Sequence, residues 1–360
     1  MFAGEGDMPV DATLQRAFDL RADGVRPDGA ALVGVFGEGV PLPLVAALGG
    51  LAVDVKAPPL ADAAEGPTSD LVRSVTEDFL DPFATRFLHR FAAGAFAPYA
   101  TLIFARDDVA GLTAYQYATE LRRQGRLTQG GPRLHLWNAL HTDSAPVAAF
   151  NRHELDRLRA HLEETLGAKL DPDRLAGAVT EETRRADALA ALPPGGPDAF
   201  VARNAGRWLT PSQHAALIRE MPRGRGPSIV LTGSACDIPV LHTLCAEVGQ
   251  VCADLQDYGR AAPQPVDAAD LLRRIVADPL ATRAAPPARF TRALHDGIAG
   301  ADLVIASTDA SDDSFGWELP GLRRAAEAQG ASFLDLGFRP FRPDDTWQDR
   351  TRRRIAEALA

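Results

Sequence analysis

Ala301-Asp-Leu-Val-Ile-Ala-Ser-Thr-Asp-Ala-Ser-Asp-Asp-Ser-Phe-Gly-Trp-Glu-Leu-Pro320 decides the fold class. Leu303 to Ala306 is apolar at every position, as expected for a strand buried on both faces. A loop of small and acidic residues follows from Ser307 to Ser314. Pro320 then opens a helical pattern with Leu322, Ala325 and Ala326 on one side. Strand, short loop and helix make half of a parallel βαβ unit. In open α/β sheets, ligands bind at the loops that leave the carboxyl ends of the strands. Asp309, Asp312 and Asp313 therefore occupy a position suited to chemistry, although Asp and Ser also serve there as helix caps.

The same pattern recurs on both sides of this stretch. Upstream in the same half, Ser228 to Thr232, a Gly233 loop, a helix over Val240 to Val248 and a strand over Val251 to Leu255 form a βαβ unit. Ser332 to Leu336 supplies a fourth strand. In the amino-terminal half, Ala31 to Phe36, Leu51 to Val55, Thr101 to Ala105 and Arg133 to Trp137 read as strands. A long helical pattern over Ser69 to Phe91 carries a stripe of Phe79, Phe83, Phe87 and Phe91, interrupted by Pro82. Between the halves lie amphipathic helices over Val147 to Leu166 and Asp171 to Ala191. The reading is α/β: two Rossmann-like doubly wound domains with parallel four-stranded sheets, linked by a helical connector. The first domain spans 31–145 after an amino-terminal extension of 1–30, the connector 146–226, and the second domain 227–360.

At 360 residues the chain is long enough for two cores. A net charge of −10 argues against a nucleic-acid binder, which would need a basic stripe. No run of about 18 apolar residues is present, so no membrane span is expected. Met1 to Asp7 lacks a basic and apolar leader. The 3 cysteines form no disulfide framework. A cytoplasmic protein is the expectation.

The two halves also echo each other. Strand, Gly37 loop, Pro41, helix, Gly49 and strand match strand, Gly233 loop, Pro239, helix, Gly249 and strand. Leu102-Ile-Phe-Ala-Arg-Asp-Asp echoes Val304-Ile-Ala-Ser-Thr-Asp-Ala-Ser-Asp-Asp. A duplication of this kind predicts a shared cleft between carboxyl-end loops, and clefts between domains favour ligands.

Val40-Pro41 with Ala46 to Gly50, Phe150-Asn-Arg-His-Glu-Leu155 running to Gly167, Leu175, Leu231-Thr-Gly-Ser234, Asp257-Tyr-Gly-Arg260, and Asp302-Leu-Val-Ile305 with Leu319-Pro320 stand in an order and spacing that resembles one family. It is that of the 2-hydroxyacyl-CoA dehydratase and benzoyl-CoA reductase subunits, and the resemblance runs from about Ala31 to the carboxyl terminus. It implies pairing of two homologous subunits, a [4Fe-4S] cluster held by cysteines in the interdomain cleft, an acyl-CoA thioester as substrate, and an activator ATPase that delivers an electron to the dehydratases.

The chain departs from that pattern where the cluster would be held. The family's Cys-Asp after each third strand is replaced at Arg106 or Asp107 and at Asp312. No cysteine precedes Cys236, so the first domain supplies no thiolate, which iron–sulfur clusters need. Cys245 and Cys252 fall on a helix and a strand and read as buried small hydrophobes. Only Cys236 is placed to face the cleft. Two carboxylates without a third ligand fall short of a metal site, and no cofactor is expected on this chain. His141 lies in a loop after the fourth strand and could face the cleft, whereas His153 and His161 lie on a charged helix and read as exposed.

Three functions follow. In the first, the chain is a cluster-free subunit of a dehydratase- or reductase-like complex. It binds an acyl-CoA thioester in the interdomain cleft through Gly37, Glu38, Gly39, Gly233, Ser234, Arg106 and Ser311, and pairs with a cluster-bearing homologous subunit served by the activator ATPase. In the second, it is a cluster-independent acyl-CoA enzyme with Asp107, Asp312 and Cys236 as acid, base or nucleophile. In the third, it is a non-catalytic scaffold or assembly protein.

Overall fold

The computed structural model describes residues 10–23, 30–62, 66, 68–127, 130–193, 195–221, 224–281, 286–312 and 314–360. Asp313 and the Met1 to Asp7 stretch lie outside them. The amino-terminal half contains α1 (Ala12–Leu20), β1 (Ala31–Phe36), α2 (Leu42–Ala47), β2 (Gly50–Asp54), α3 (Asp70–Arg73), α4 (Pro82–Ala92), β3 (Tyr99–Ala105), α5 (Val109–Arg123) and β4 (Arg133–Trp137). Helices α6 (Ala145–Leu166), α7 (Pro172–Ala191), α8 (Pro197–Ala205) and α9 (Pro211–Leu217) follow. The second half contains β5 (Ser228–Gly233), α10 (Val240–Ala246), β6 (Gln250–Asp254), α11 (Arg273–Ala277), α12 (Pro287–Gly297), β7 (Leu303–Asp309), α13 (Leu319–Ala328), β8 (Ser332–Arg339) and α14 (Asp345–Leu359).

The strands form two four-stranded sheets, parallel throughout, ordered β2-β1-β3-β4 and β6-β5-β7-β8. The α/β class with two Rossmann-like sheets is therefore what the chain adopts. Residues of β1 alternate between two cores. Leu32 and Phe36 join the aromatic cluster of α4 and β3, while Val33 and Val35 pack on Val45, Leu158, Leu162, Leu175 and Val179. Helices α6 and α7, read as a connector, thus cover one face of the first sheet. The second sheet is likewise packed on both faces, with Ile229 and Leu231 on one side and Val230 and Val304 on the other.

Three local differences from the sequence reading have physical causes. Pro82 breaks the long pattern, as read, but does so by starting a helix and not by kinking one. Its fixed φ suits the first helical turn, and Asp81 Oδ1 accepts from Ala84 N at 3.0 Å as the cap. Phe79, upstream of that cap, is thrown out of the stripe and is 79% exposed. The extension before β1 is integral to the core: Leu14, Ala17 and Phe18 of α1 are buried against α8. His161 is also drawn in, its ring 4.6 Å from that of His135 on β4 and its Nε2 2.7 Å from Thr101 Oγ1. Among the described residues, no helix is long and apolar enough to cross a membrane.

Candidate functional site

The registers of the two sheets superpose at the carboxyl ends of the strands. Val35 pairs with Asp54 in the first and Leu231 with Asp254 in the second, and the next amides close the same bond, Val55 N to Val35 O and Leu255 N to Leu231 O, both at 2.9 Å. Phe36 faces Phe104 as Thr232 faces Ala306. Three residues on from Phe104 and Ala306 stand Asp107 and Asp309. The counterpart of Asp107 is therefore Asp309, not Asp312, the position that the family resemblance set against Arg106 or Asp107.

The exit loop of β1 is shaped by Gly37. Its φ is +92°, and a Cβ there would lie 2.5 Å from Asp107 Oδ1. That close approach lets Glu38 N donate to Asp107 Oδ2 at 2.5 Å, while Asp108 N donates to Oδ1 at 2.9 Å. Glu38 then projects toward the second half. It accepts from Arg207 Nη2 at 2.9 Å and lies 3.4 Å from Arg260 Nη2. Arg260 continues to Asp278 at 2.8 Å. At the end of β2, Asp54 accepts from Lys56 N at 2.7 Å, and Lys56 Nζ reaches Asp108 Oδ2 at 2.5 Å. The Asp257-Tyr-Gly-Arg260 turn after β6 closes the cleft from the opposite side. Tyr258 adopts φ +73°, a conformation costly for a non-glycine residue, with the Arg207 guanidinium 4.2 Å above its ring.

Charges in this cleft are set by burial against pairing. Burial raises the Glu38 carboxyl, but Arg260 and Arg207 more than offset it and the pKa is lowered. For Lys56, burial favours the neutral amine, and Asp108, Asp107 and Asp257 outweigh it, so the ammonium is held well above its ordinary range. Asp107 goes the other way: burial and the neighbouring Asp108 charge push it well up. Asp257 is raised to about 6 by burial and then by Glu38. Carboxyls poised upward beside fixed cations are a pattern of acid–base sites.

Two adjoining cavities open here. One, about 30 Å³, is bounded by Glu38, Asp107, His141, Asp257, Arg260 and Asp278. The other, about 70 Å³, lies between Val35, Val40, Leu42, Ala52 and Val53 on the apolar side and Asp54, Arg185, Arg207 and Gln264 on the polar side. His141 faces the first cavity, as its loop position suggested. Its ring hydrogen-bonds the Val276 backbone, and Nδ1 has no partner among the described residues.

The candidates from sequence divide by half. Gly37, Glu38, Gly39 and Asp107 line the cavities. Gly233 instead pairs with Ser307 in the second sheet, and Ser234, Ser311 and Asp312 are tied up around Asp309 and in their own turn. Ser234 Oγ donates to Asp312 Oδ2 at 2.6 Å and accepts from Asp309 N at 2.9 Å. Ser311 Oγ donates to Asp309 Oδ1 at 2.8 Å, and Asp312 Oδ1 caps the turn at Ser314 and Phe315. Burial raises the Asp312 carboxyl, but these hydrogen bonds outweigh it and the pKa is lowered, making Asp312 a weak base. Arg106 is exposed. Cys236 does not face the cleft. It packs in the core of the second sheet with Sγ 3.3 Å from Ile238 O, and burial pushes its thiol up, the setting of a structural cysteine. Cys245 is buried with it and pushed up to about 12.

An iron–sulfur cluster does not fit this cleft, because no cysteine lines either cavity. Among the described residues, no group of three or more His, Cys, Asp or Glu is arranged for a metal. Lys56, Asp54, Asp257, Arg207 and Arg260 escaped the sequence reading as individual site residues. One signal was available: the chain has 2 lysines, and Lys56 sits at a strand end in a protein that otherwise uses arginine. No protein-family profile matches the chain. A comparison with curated proteins finds no match either.

Proposed function

We propose that the chain is an acyl-CoA-binding, cluster-free subunit of a complex like the 2-hydroxyacyl-CoA dehydratases and benzoyl-CoA reductases. It holds the acyl end of the thioester in the interdomain cleft and pairs with a homologous subunit that carries the cluster and is reduced by an activator ATPase. One observation carries the reading. Loops at the carboxyl ends of the first sheet and the turn after β6 of the second, two sheets of the same strand order, meet at a cleft furnished with carboxyls, guanidiniums and an imidazole, while the thiols of Cys236 and Cys245 are turned into the core. Such a cleft suits binding and proton handling in a complex whose redox centre lies on another chain.

The test is anaerobic purification from the native host, with iron and acid-labile sulfide measured alongside any accompanying chain. A stoichiometric second chain bearing the cluster, together with acyl-CoA binding by the complex, is the expected result. A chain that purifies alone and binds no acyl-CoA overturns the proposal.

A second reading is favoured by the raised Asp107 and Asp257 beside His141 in one cavity. These groups suit proton transfer next to a thioester carbonyl without any cluster. Deuterium exchange at the α-carbon of a bound acyl-CoA, lost in Asp107→Asn, would support it. Exchange that persists in Asp107→Asn would exclude Asp107 as the base.

A further inference from the structure

We infer that residues 261–281, the connection that leaves the Asp257-Tyr-Gly-Arg260 turn, form a movable strap that shuts over the smaller cavity and lifts off the first half to admit a ligand, without unfolding of either sheet. The inference goes beyond the acyl-CoA reading, because it concerns how any ligand enters the cleft.

The segment belongs to the second half by sequence but crosses to the first. Leu271 is buried in the core that Val33 and Val35 of β1 form with α6 and α7. Gln264 Oε1 accepts from Leu42 N, at the start of α2, at 3.0 Å. The His141 ring hydrogen-bonds the Val276 backbone. Ala262, Pro263, Ile275, Asp278 and Ala281 of the segment bound the smaller cavity together with Asp107 and His141 of the first half. Lifting the strap takes that whole side of the chamber away.

Its attachment is light for its length. A connection longer than about 12–15 residues with little structure of its own is uncommon in a compact domain and usually serves as a lid or binding loop. This one carries a single helix, α11, of 5 residues, and contributes to neither sheet. Leu271 and Ile275 are its two large apolar side chains that are buried. Segments with few buried apolar contacts open locally at a lower free energy than the whole fold. Lids of this kind close over a site while their scaffold stays in place.

Two arginines act as clips between strap and body. Arg289 of α12 donates from Nη1 to His141 O at 3.1 Å and from Nη2 to Ala277 O at 2.9 Å, so one guanidinium holds both sides of the contact. Arg260, at the root of the strap, reaches Asp278 from Nη1 at 2.8 Å, with its Nη2 3.4 Å from Glu38. Both clips consist of polar bonds that water can replace, whereas Leu271 must leave an apolar core, so Leu271 sets most of the resistance to opening.

The experiment follows carbethoxylation of the histidines by diethyl pyrocarbonate, read residue by residue by mass spectrometry, on the full-length protein in the complex in which it purifies. His141 is buried against the strap, His153 is exposed, and His214 and His242 are buried in the interior. His141 should react slower than His153 and faster than His214 and His242, by about tenfold or more in each case. Leu271→Ala should speed His141 by about tenfold or more, from the usual cost of deleting a buried leucine side chain. Arg289→Gln, which removes no core side chain and keeps the test open should Leu271→Ala not fold, should speed it by about threefold. Neither variant should change His214 or His242. Deuterium uptake over residues 266–280 should rise in the same variants, while that over β4 stays constant. Reaction of His141 as fast as His153 would show that nothing closes the chamber. His141 keeping pace with His214 and His242 would show that the segment opens only with the whole fold. Faster reaction of His141 without added uptake over 266–280 would assign the motion to the His141 loop. Each of these three results overturns the inference, and none depends on whether the cleft binds a thioester.

Discussion

Asp257 bears the sharpest conflict at the scale of single residues. Burial and the Glu38 charge raise its pKa from 3.8 to about 6, against the pull of Lys56 and Arg260. The folded chain therefore holds a proton that the unfolded chain has released, and stability falls as pH rises from 3.8 through about 6. In Asp257→Asn this decline should be smaller by on the order of 1–3 kcal/mol. Urea unfolding at pH 4.5 and 7.5 measures it, and an unchanged difference between the two pH values would show that Asp257 stays ionised throughout. The roles of single residues were only partly legible. Gly37, Glu38 and Asp107 could be placed in the cleft because they follow β1 and β3 directly. Asp312 misled because a carboxylate that caps its own turn and one that faces a ligand look alike in sequence. Cys236 misled because one residue of rotation in a loop decides between cleft and core.

Loops and helices add constraints of their own. Gly37 and Gly233 are equivalent positions with φ of +92° and +133°, but their surroundings differ. A Cβ at Gly37 meets the Asp107 side chain, whereas one at Gly233 would lie 1.8 Å from the Ser307 carbonyl oxygen. Backbone within a sheet yields less readily than a carboxylate. Gly233→Ala should therefore cost more than Gly37→Ala, by about 2 kcal/mol or more, as thermal unfolding of the two variants would reveal; equal losses would contradict the argument. The contact between β4 and α6 makes another prediction. His135 and His161 are each lowered to about 4, burial being the largest cause for both. The unfolded chain then binds more protons, so this pair withdraws stability as pH falls from about 6.5 to about 4. A His135→Phe, His161→Gln double variant should lose less over that range, by on the order of 2–4 kcal/mol after allowance for the partial exposure of His161. A difference curve of melting temperature against pH would test it, since the raised carboxyls cancel between wild type and variant. The periodic signal of α4 was visible in sequence, but its start was not, because Pro82 is compatible with both a break and a first turn.

The whole molecule is held together by charged side chains that cross from one half to the other. Glu38 joins Arg207 and Arg260. Arg21, fully buried after α1, meets Asp237 at 2.6 Å in the loop after β5, and Arg342 completes that group at 2.7 Å. Phe83 of α4 packs edge-on against Phe341, with ring centroids 5.0 Å apart. These contacts predict one cooperative unfolding transition for both sheets. Glu38→Gln leaves two guanidiniums short of a partner and should cost about 3–5 kcal/mol, separating the transition into two in differential scanning calorimetry. A single, unshifted transition in that variant would show that the Glu38 bridge does not couple the halves. What the sequence by itself determined was the pair of parallel sheets, because continuous apolar runs bounded by glycine loops and amphipathic helices admit few other layers, and the repeat of that order at Gly37 and Gly233 marked the two halves as alike. The tertiary structure alone decided which charges meet. Lys56, Asp108, Arg207, Asp257 and Arg260 come from loops distant in sequence, and their protonation depends on burial and on neighbours brought within a few ångströms by packing, quantities with no local signature in the chain.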